Sequence, residues 1–161
     1  MDETFCIPVK VENENDLYEK FLPSGLSFSS DLTAYLEDCL EDRELGENVS
    51  LELQSSQELD MEHFRDAFHV FMEKLIVRNN KEIHLADLKA ILFLLMGIVF
   101  VAIGVAVANR VDMIVASIIS AIGSYAIWGA AATFIETLPT LRVKKKHLEI
   151  FANGEIRYKA I

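Results

Sequence analysis

At 161 residues the chain has room for one small domain plus a membrane hairpin, and too little for two independent globular domains. Its 52% apolar content is high for a soluble protein, and the net charge of −10 is split: residues 1–73 hold 19 acids and 4 bases, residues 74–161 hold 6 acids and 11 bases. An acidic first half repels nucleic acid, which argues against that partner, while a basic girdle beside apolar segments attracts anionic lipid headgroups.

The start, Met1-Asp2-Glu3-Thr4, is acidic where a secretory signal is basic, and no apolar run follows, so no secretory leader is expected. Phe5, Ile7, Val9 and Val11 alternate with Cys6, Pro8 and Lys10, which predicts a strand. Pro8 cannot donate to a ladder and places that strand at an edge or a bend. Leu17, Tyr18 and Phe21 suggest a short helical turn, broken by Pro23-Ser24-Gly25. Leu32, Tyr35, Leu36, Cys39 and Leu40 then mark an amphipathic helix, capped by Ser29 or Ser30 and stopped near Gly46. Its other face, Glu37, Asp38, Glu41 and Asp42, is acidic. Cys6 and Cys39, set among apolar residues, are expected to be reduced core thiols.

Val49, Leu51 and Leu53 alternate with Ser50, Glu52 and Gln54 in a second strand. A helix follows, capped by Asp60, or by Ser55 with Glu58 a little earlier. Met61, Phe64, Phe68, Phe71 and Leu75 form its core stripe, and a break is expected at Asn79-Asn80. Residues 90–108 are 19 residues without a charge, and residues 113–135 are a second uncharged run of 23. At about 1.5 Å per residue, each is long enough to cross a bilayer core. Beyond Glu136, Pro139 suits the first turn of a new helix carrying Arg142, Lys144, Lys145 and Lys146. Asn153-Gly154 turns the chain into a last strand with Ile156, Tyr158 and Ala160 on one face. This strand is expected to join the sheet of the first two.

Lys74, Arg78, Lys81 and Lys89 precede the first apolar run, Arg142, Lys144, Lys145 and Lys146 follow the second, and only Arg110 lies in the turn. That bias predicts two spans with both termini in the cytosol. Gly97 and Gly104 on the first span, and Ala116, Ser120 and Ser124 on the second, are the candidates for close helix packing, within one hairpin or between copies. Boundary candidates are Lys89, Arg110, Trp128, Glu136, Arg142, Lys144, Lys145 and Lys146. Trp128 and Tyr125 sit at the cytosolic interface or pack inward, and Lys89 can pair with Glu136.

Catalytic and cofactor signatures are not found. His63 and His69 are six apart and do not share a helix face as metal ligands; His84 and His147 lie at the membrane boundary. The acids near the start lack the order and glycine of a calcium loop. No Gly-rich phosphate loop joins a strand to a helix.

Four features, Ile7-Pro8-Val9, Leu17-Tyr18 with Phe21, Leu26 and Tyr35 at the next helix, and a second span carrying Trp128 and ending at Glu136, resemble small prokaryotic two-span membrane proteins of the domain-of-unknown-function type. The resemblance implies a two-span membrane protein and carries no chemistry with it.

The expected architecture is a small α+β cytosolic domain of about three strands and two to three helices, built from both chain ends, plus a transmembrane hairpin. The expected boundaries are 1–84 for the cytosolic domain, 85–108 for the first span, 109–112 for the outer turn, 113–136 for the second span and 137–161 for the returning helix and strand. The expected function is a non-enzymatic membrane-anchored interaction or scaffold module, with no cofactor. Its partners would be the lipid bilayer, anionic headgroups at Lys144, Lys145 and Lys146, and a protein at the acidic face. A small homo-oligomeric channel is the alternative.

Overall fold

A computed structural model describes residues 4–12, 14, 17–19, 27–41, 48–56, 59–108, 110 and 112–160. Three strands, β1 (Thr4–Val11), β2 (Asn48–Ser55) and β3 (Glu155–Ala160), form one parallel sheet with β2 in the centre. Ile7 lies beside Leu51 and Ile156, and Val9 beside Leu53 and Tyr158. The C-terminal strand therefore joins the first two, as their shared alternation predicts. Parallel neighbours need crossovers. The first runs through α1 (Ser30–Glu41); the second runs through α2 (Met61–Val107), α3 (Met113–Ala132) and α4 (Leu138–Ala152).

The chain divides into two compact units, one of residues 1–78 with 143–161 and one of residues 79–142. In the first, the core described lies on one face of the sheet. Ile7, Val9, Val11, Val49, Leu51 and Leu53 pack against Leu32, Leu36 and Leu40 of α1, Phe64, Phe68 and Phe71 of α2, and Leu148 and Phe151 of α4. The rings interlock: Phe28 lies 5.1 Å from Phe64 and 5.6 Å from Phe71, and Phe68 meets Phe151 edge-on at 5.2 Å. Cys6, Pro8, Lys10, Glu155, Arg157 and Lys159 are exposed on the opposite face. Cys6 is thus a correction to the expected core thiol. Strand parity sends it away from Ile7 and Val9. Cys39 is half-buried against the core.

Local signals explain most helix boundaries. Ser29 Oγ accepts the Leu32 N–H at 3.4 Å. Asp60 accepts the Glu62 and His63 N–H groups at 3.1 and 3.0 Å, satisfying two donors of the first turn of α2. Around Leu17 and Tyr18 the expected helical turn is replaced by an antiparallel bridge between Tyr18 and Phe28, because Glu19 and Ser29 N–H groups bond to Ser27 and Leu17 carbonyls. Phe21, Pro23-Ser24-Gly25, Gly46 and Glu58 lie outside the described residues.

Two expected breaks do not occur. α2 runs unbroken through Asn79-Asn80 for 47 residues, about 70 Å. Asparagine costs under about 1 kcal/mol in a helix interior, too little to end one whose flanks are packed. Pro139 lies in the first turn of α4, as expected, but that helix is not separate from α3. α3 passes through a π-helical turn at Thr133–Thr137 directly into α4, with the Leu138 N–H bonded to Thr133 O. Proline has no N–H for the carbonyl four residues back, and widening the turn before it accommodates the loss.

Candidate membrane hairpin and flanking charges

The second unit is a helical hairpin closed by small residues. A Cβ built on Gly97 would lie 2.7 Å from Gly123 O and 2.9 Å from Ile127 N. One built on Gly104 would collide with Ser120 Oγ and lie 3.2 Å from Ala116 O. The contact thus steps seven residues forward on α2, from Gly97 to Gly104, as it steps seven back on α3, from Gly123 to Ala116. Extending that antiparallel register the other way sets Ala90 opposite Ala130, both fully buried. Further along it sets Asn79 opposite Leu141, and the Asn79 side-chain amide donates to Leu141 O at 3.1 Å. Asn79 is 3% exposed, and its Oδ1 has no hydrogen-bond partner among the described residues.

The structure therefore brings Gly97, Gly104, Ala116 and Ser120 together and leaves Ser124 out. Ser124 is exposed, with its hydroxyl donated back to Ser120 O at 3.0 Å. Ser117 and Thr133 likewise bond to carbonyls one turn back, at 2.8 and 2.9 Å. Such back-bonds satisfy a hydroxyl without a partner helix. Ala90, Gly123, Ala130 and Asn79 complete the seam and were not singled out by sequence. The signal for Ala90, Gly123 and Ala130 is the seven-residue repeat of small residues on both helices; Asn79 lies off that repeat.

Outside the seam the hairpin is apolar and open. Both helices are long and apolar enough to cross a membrane, with mean hydropathy 3.0 and 1.7 over their most apolar windows, of which 17% and 22% is buried. Leu92, Ile98, Val99, Val105, Ile114, Ile118 and Ile122 are exposed. Tyr125 and Trp128 are 80% and 71% exposed, so neither packs inward. At the turn, Arg110 is exposed and Asp112 caps α3 by accepting the Ile114 N–H at 2.8 Å.

Among the described residues Lys89 and Glu136 form no ion pair. The hairpin register offsets them by about five residues, and Lys89 Nζ instead lies 5.8 Å from the Phe93 ring centroid. Glu136 is exposed on the π-helical turn. On α4, Arg142 and Lys146 are exposed, Lys144 is half-buried, and Lys145 lies 3.8 Å from Glu149.

The polar face of the sheet holds a second set of charges. Gln54 Nε2 at 2.8 Å, Lys159 Nζ at 3.3 Å and Cys6 Sγ at 3.6 Å all surround the Glu52 carboxylate. Hydrogen bonds from Gln54 and Lys159 hold its carboxyl below the usual range. Glu155 is likewise held down by the Arg157 guanidinium at 2.6 Å. Burial, with Glu14 and Asp60 nearby, pushes the Tyr18 phenol up to about 12. His63 lies edge-on to Tyr18 with centroids 4.9 Å apart. Among the described residues no group of three or more His, Cys, Asp or Glu side chains is placed to hold a metal ion.

Comparison with protein-family models, curated proteins and solved structures finds no match to this chain.

Proposed function

We propose that the chain is a membrane-anchored, non-enzymatic interaction or scaffold module. Its spans are the apolar part of α2 and α3, its two termini lie in the cytosol, and it presents an acidic face to a protein partner. The observation that carries this reading is the open apolar surface of the hairpin, whose two helices bury only each other's small residues. In water that surface would be an aggregation site, whereas in lipid it is solvated.

Strand pairing supports a shared side for both termini independently of charge. β2 precedes the hairpin and β3 follows it, yet they are hydrogen-bonded neighbours. Residues on either side of the hairpin must share a compartment, so the chain between them crosses the bilayer an even number of times. The excess of Lys and Arg at the outer ends of the hairpin over the lone Arg110 then selects the cytosolic side. Lys144, Lys145 and Lys146 are the residues that would meet anionic headgroups at that boundary. Of the acidic residues expected on α1, Asp38 is exposed, Glu37 is half-buried and paired with Arg78 at 3.2 Å, and Asp42 and the Glu41 side chain lie outside the described residues; Asp31 on α1 and Glu62, Asp66 and Glu73 on α2 are exposed as well.

The anchor is favoured over a homo-oligomeric channel by the place of Ser120. A pore-lining serine faces a lumen, but Ser120 Oγ sits where a Gly104 side chain would be. The seam also contains no charged residue to act as a selectivity element. The test has two parts. The full chain should stay in the membrane through alkaline carbonate extraction. Protease added outside intact cells should leave the N-terminal domain whole. Release by carbonate, or cleavage of that domain from outside, would sink the reading.

A further inference from the structure

The seam register fixes the depth of each residue in the hairpin. Carried twelve residues from the contact of Gly97 with Gly123, it sets Leu85 of α2 level with Ile135 of α3. Both are open, at 66% and 72% exposure, and each adjoins an exposed polar residue on its outer side, His84 and Glu136. The apolar band of the hairpin therefore begins at one level on both helices. Asp87 and Lys89 lie inside that level, by two and four residues, or about 3 and 6 Å.

Asp87 is half-buried, whereas Lys89 is exposed. A charge within a span normally meets a partner. On a helix the neighbours of Lys89 stand three and four residues away, and they are Leu85, Ala86, Leu92 and Phe93, none of them acidic. Asp87, two residues off, points to another face. On α3 the same level falls at Ala131, in a run without charge. Glu82 is two turns back, outside the band. Among the described residues no carboxylate pairs with Lys89. Its Nζ has the Phe93 ring, at 5.8 Å from the centroid, and such contacts are weak at exposed sites.

Lys89 also belongs to a stripe. Lys81, Leu85, Lys89, Leu92, Met96 and Val99 recur every three or four residues on α2, and all are exposed. Two cations stand at its outer end and only apolar residues follow. From Leu92 to Ile103 the apolar part runs about 17 Å, close to half of a bilayer core roughly 30 Å thick. We propose that this face of α2 binds an anionic phospholipid, with the headgroup phosphate at Lys89 and Lys81 and an acyl chain along Leu92, Met96 and Val99. The site rests on the membrane reading above and is separate from Lys144, Lys145 and Lys146. Charge and depth select the occupant. A headgroup supplies an anion at the rim of the band, and the Lys89 stem is long enough to carry its ammonium there. A zwitterionic headgroup brings its own cation and competes less well. A second copy offers only the half-buried Asp87 at that depth.

The full chain is placed in phosphatidylcholine nanodiscs holding a trace of phosphatidylglycerol or of phosphatidylcholine, each with a photoreactive diazirine on its acyl chain. Crosslinks are mapped by peptide mass spectrometry. Phosphatidylglycerol should label Leu92, Met96 and Val99 roughly fivefold or more above phosphatidylcholine. Lys89→Gln should cut that excess by roughly fivefold and leave phosphatidylcholine labelling unchanged, while Lys89→Arg should keep it. Equal labelling by the two lipids, or an excess that survives Lys89→Gln, would overturn the site and leave the membrane reading standing. Labelling of the hairpin by neither lipid would remove the membrane reading, and the site with it. In mixed light and heavy copies, a carbodiimide crosslink from Lys89 of one to Asp87 of the other would give Lys89 a protein partner and overturn the lipid site as well.

Discussion

Gly97 and Gly129 both lie on the hairpin helices and differ in what surrounds them. A Cβ on Gly97 would meet two backbone atoms, Gly123 O at 2.7 Å and Ile127 N at 2.9 Å; a Cβ on Gly129 would meet only Phe93 Cδ2, at 3.8 Å. Backbone atoms cannot rotate aside, so Gly97→Ala forces α3 to retreat by roughly 0.7 Å or more before ordinary contact is restored. Overpacking of this kind costs about 1–3 kcal/mol. Alanine also gains up to about 1 kcal/mol of helix propensity over glycine, but it does so at both positions, and the gain cancels in the comparison. Gly97→Ala should therefore be less stable than Gly129→Ala by about 1–3 kcal/mol, a factor of roughly five to more than a hundred in the folded-to-unfolded ratio. The assay is unfolding of the full chain in mixed micelles by increasing mole fraction of SDS, followed by energy transfer between dyes on the two helices. Gly129→Ala should unfold with the wild type or slightly later, and Gly97→Ala earlier. Coincident transitions for the two variants would mean that the helices do not touch at Gly97, and the register through Gly104 and Ala116 would fall with it.

Phe151→Ala removes a fully buried ring that meets Phe68 edge-on, and should cost about 3–5 kcal/mol in urea unfolding of the full chain followed by near-ultraviolet circular dichroism. A cost under about 1 kcal/mol would place α4 outside the core. Asp60→Ala leaves the Glu62 and His63 N–H groups without their cap and should cost about 1 kcal/mol, seen as faster hydrogen exchange at those two amides; unchanged exchange would dismiss the cap. Tyr18 is raised from 10.0 to about 12 in the folded state, so the folded state disfavours its phenolate. Its contribution to stability is whole below pH 10.0 and is lost as pH rises through about 12. Alkaline titration by phenolate absorbance should show a late-ionising tyrosine that Tyr18→Phe removes, and a wild-type curve identical to that of the variant would refute the shift.

Strands were legible because, among the described residues, the apolar core covers one face of the sheet. Parallel strands buried on both faces read as unbroken apolar runs, but here Ile7, Val9, Leu51 and Leu53 alternate with residues on an open polar face. The same alternation misled at Cys6, which belongs to the polar set by parity although its chemistry suits a core. Strand direction was not legible, because alternation is the same for parallel and antiparallel neighbours. Helix ends failed where a breaker was read in isolation. Asn79 stays helical while its side-chain amide reaches Leu141 O, and Pro139 is absorbed by a π-helical turn that moves the Leu138 N–H onto Thr133 O. Neither outcome is local, since each depends on how a neighbouring turn or helix receives the displaced bond. In the hairpin, Gly97 and Gly104 stand out against a background of large residues. The second span offers six alanines, three serines and two glycines, and nothing in that run says which of them face the partner helix. The phase appears only when the two helices are set in one antiparallel register. Ser120 then falls opposite Gly104, Ser124 turns outward, and Gly123, indistinguishable from Gly129 by composition, becomes the residue on which the closest approach depends.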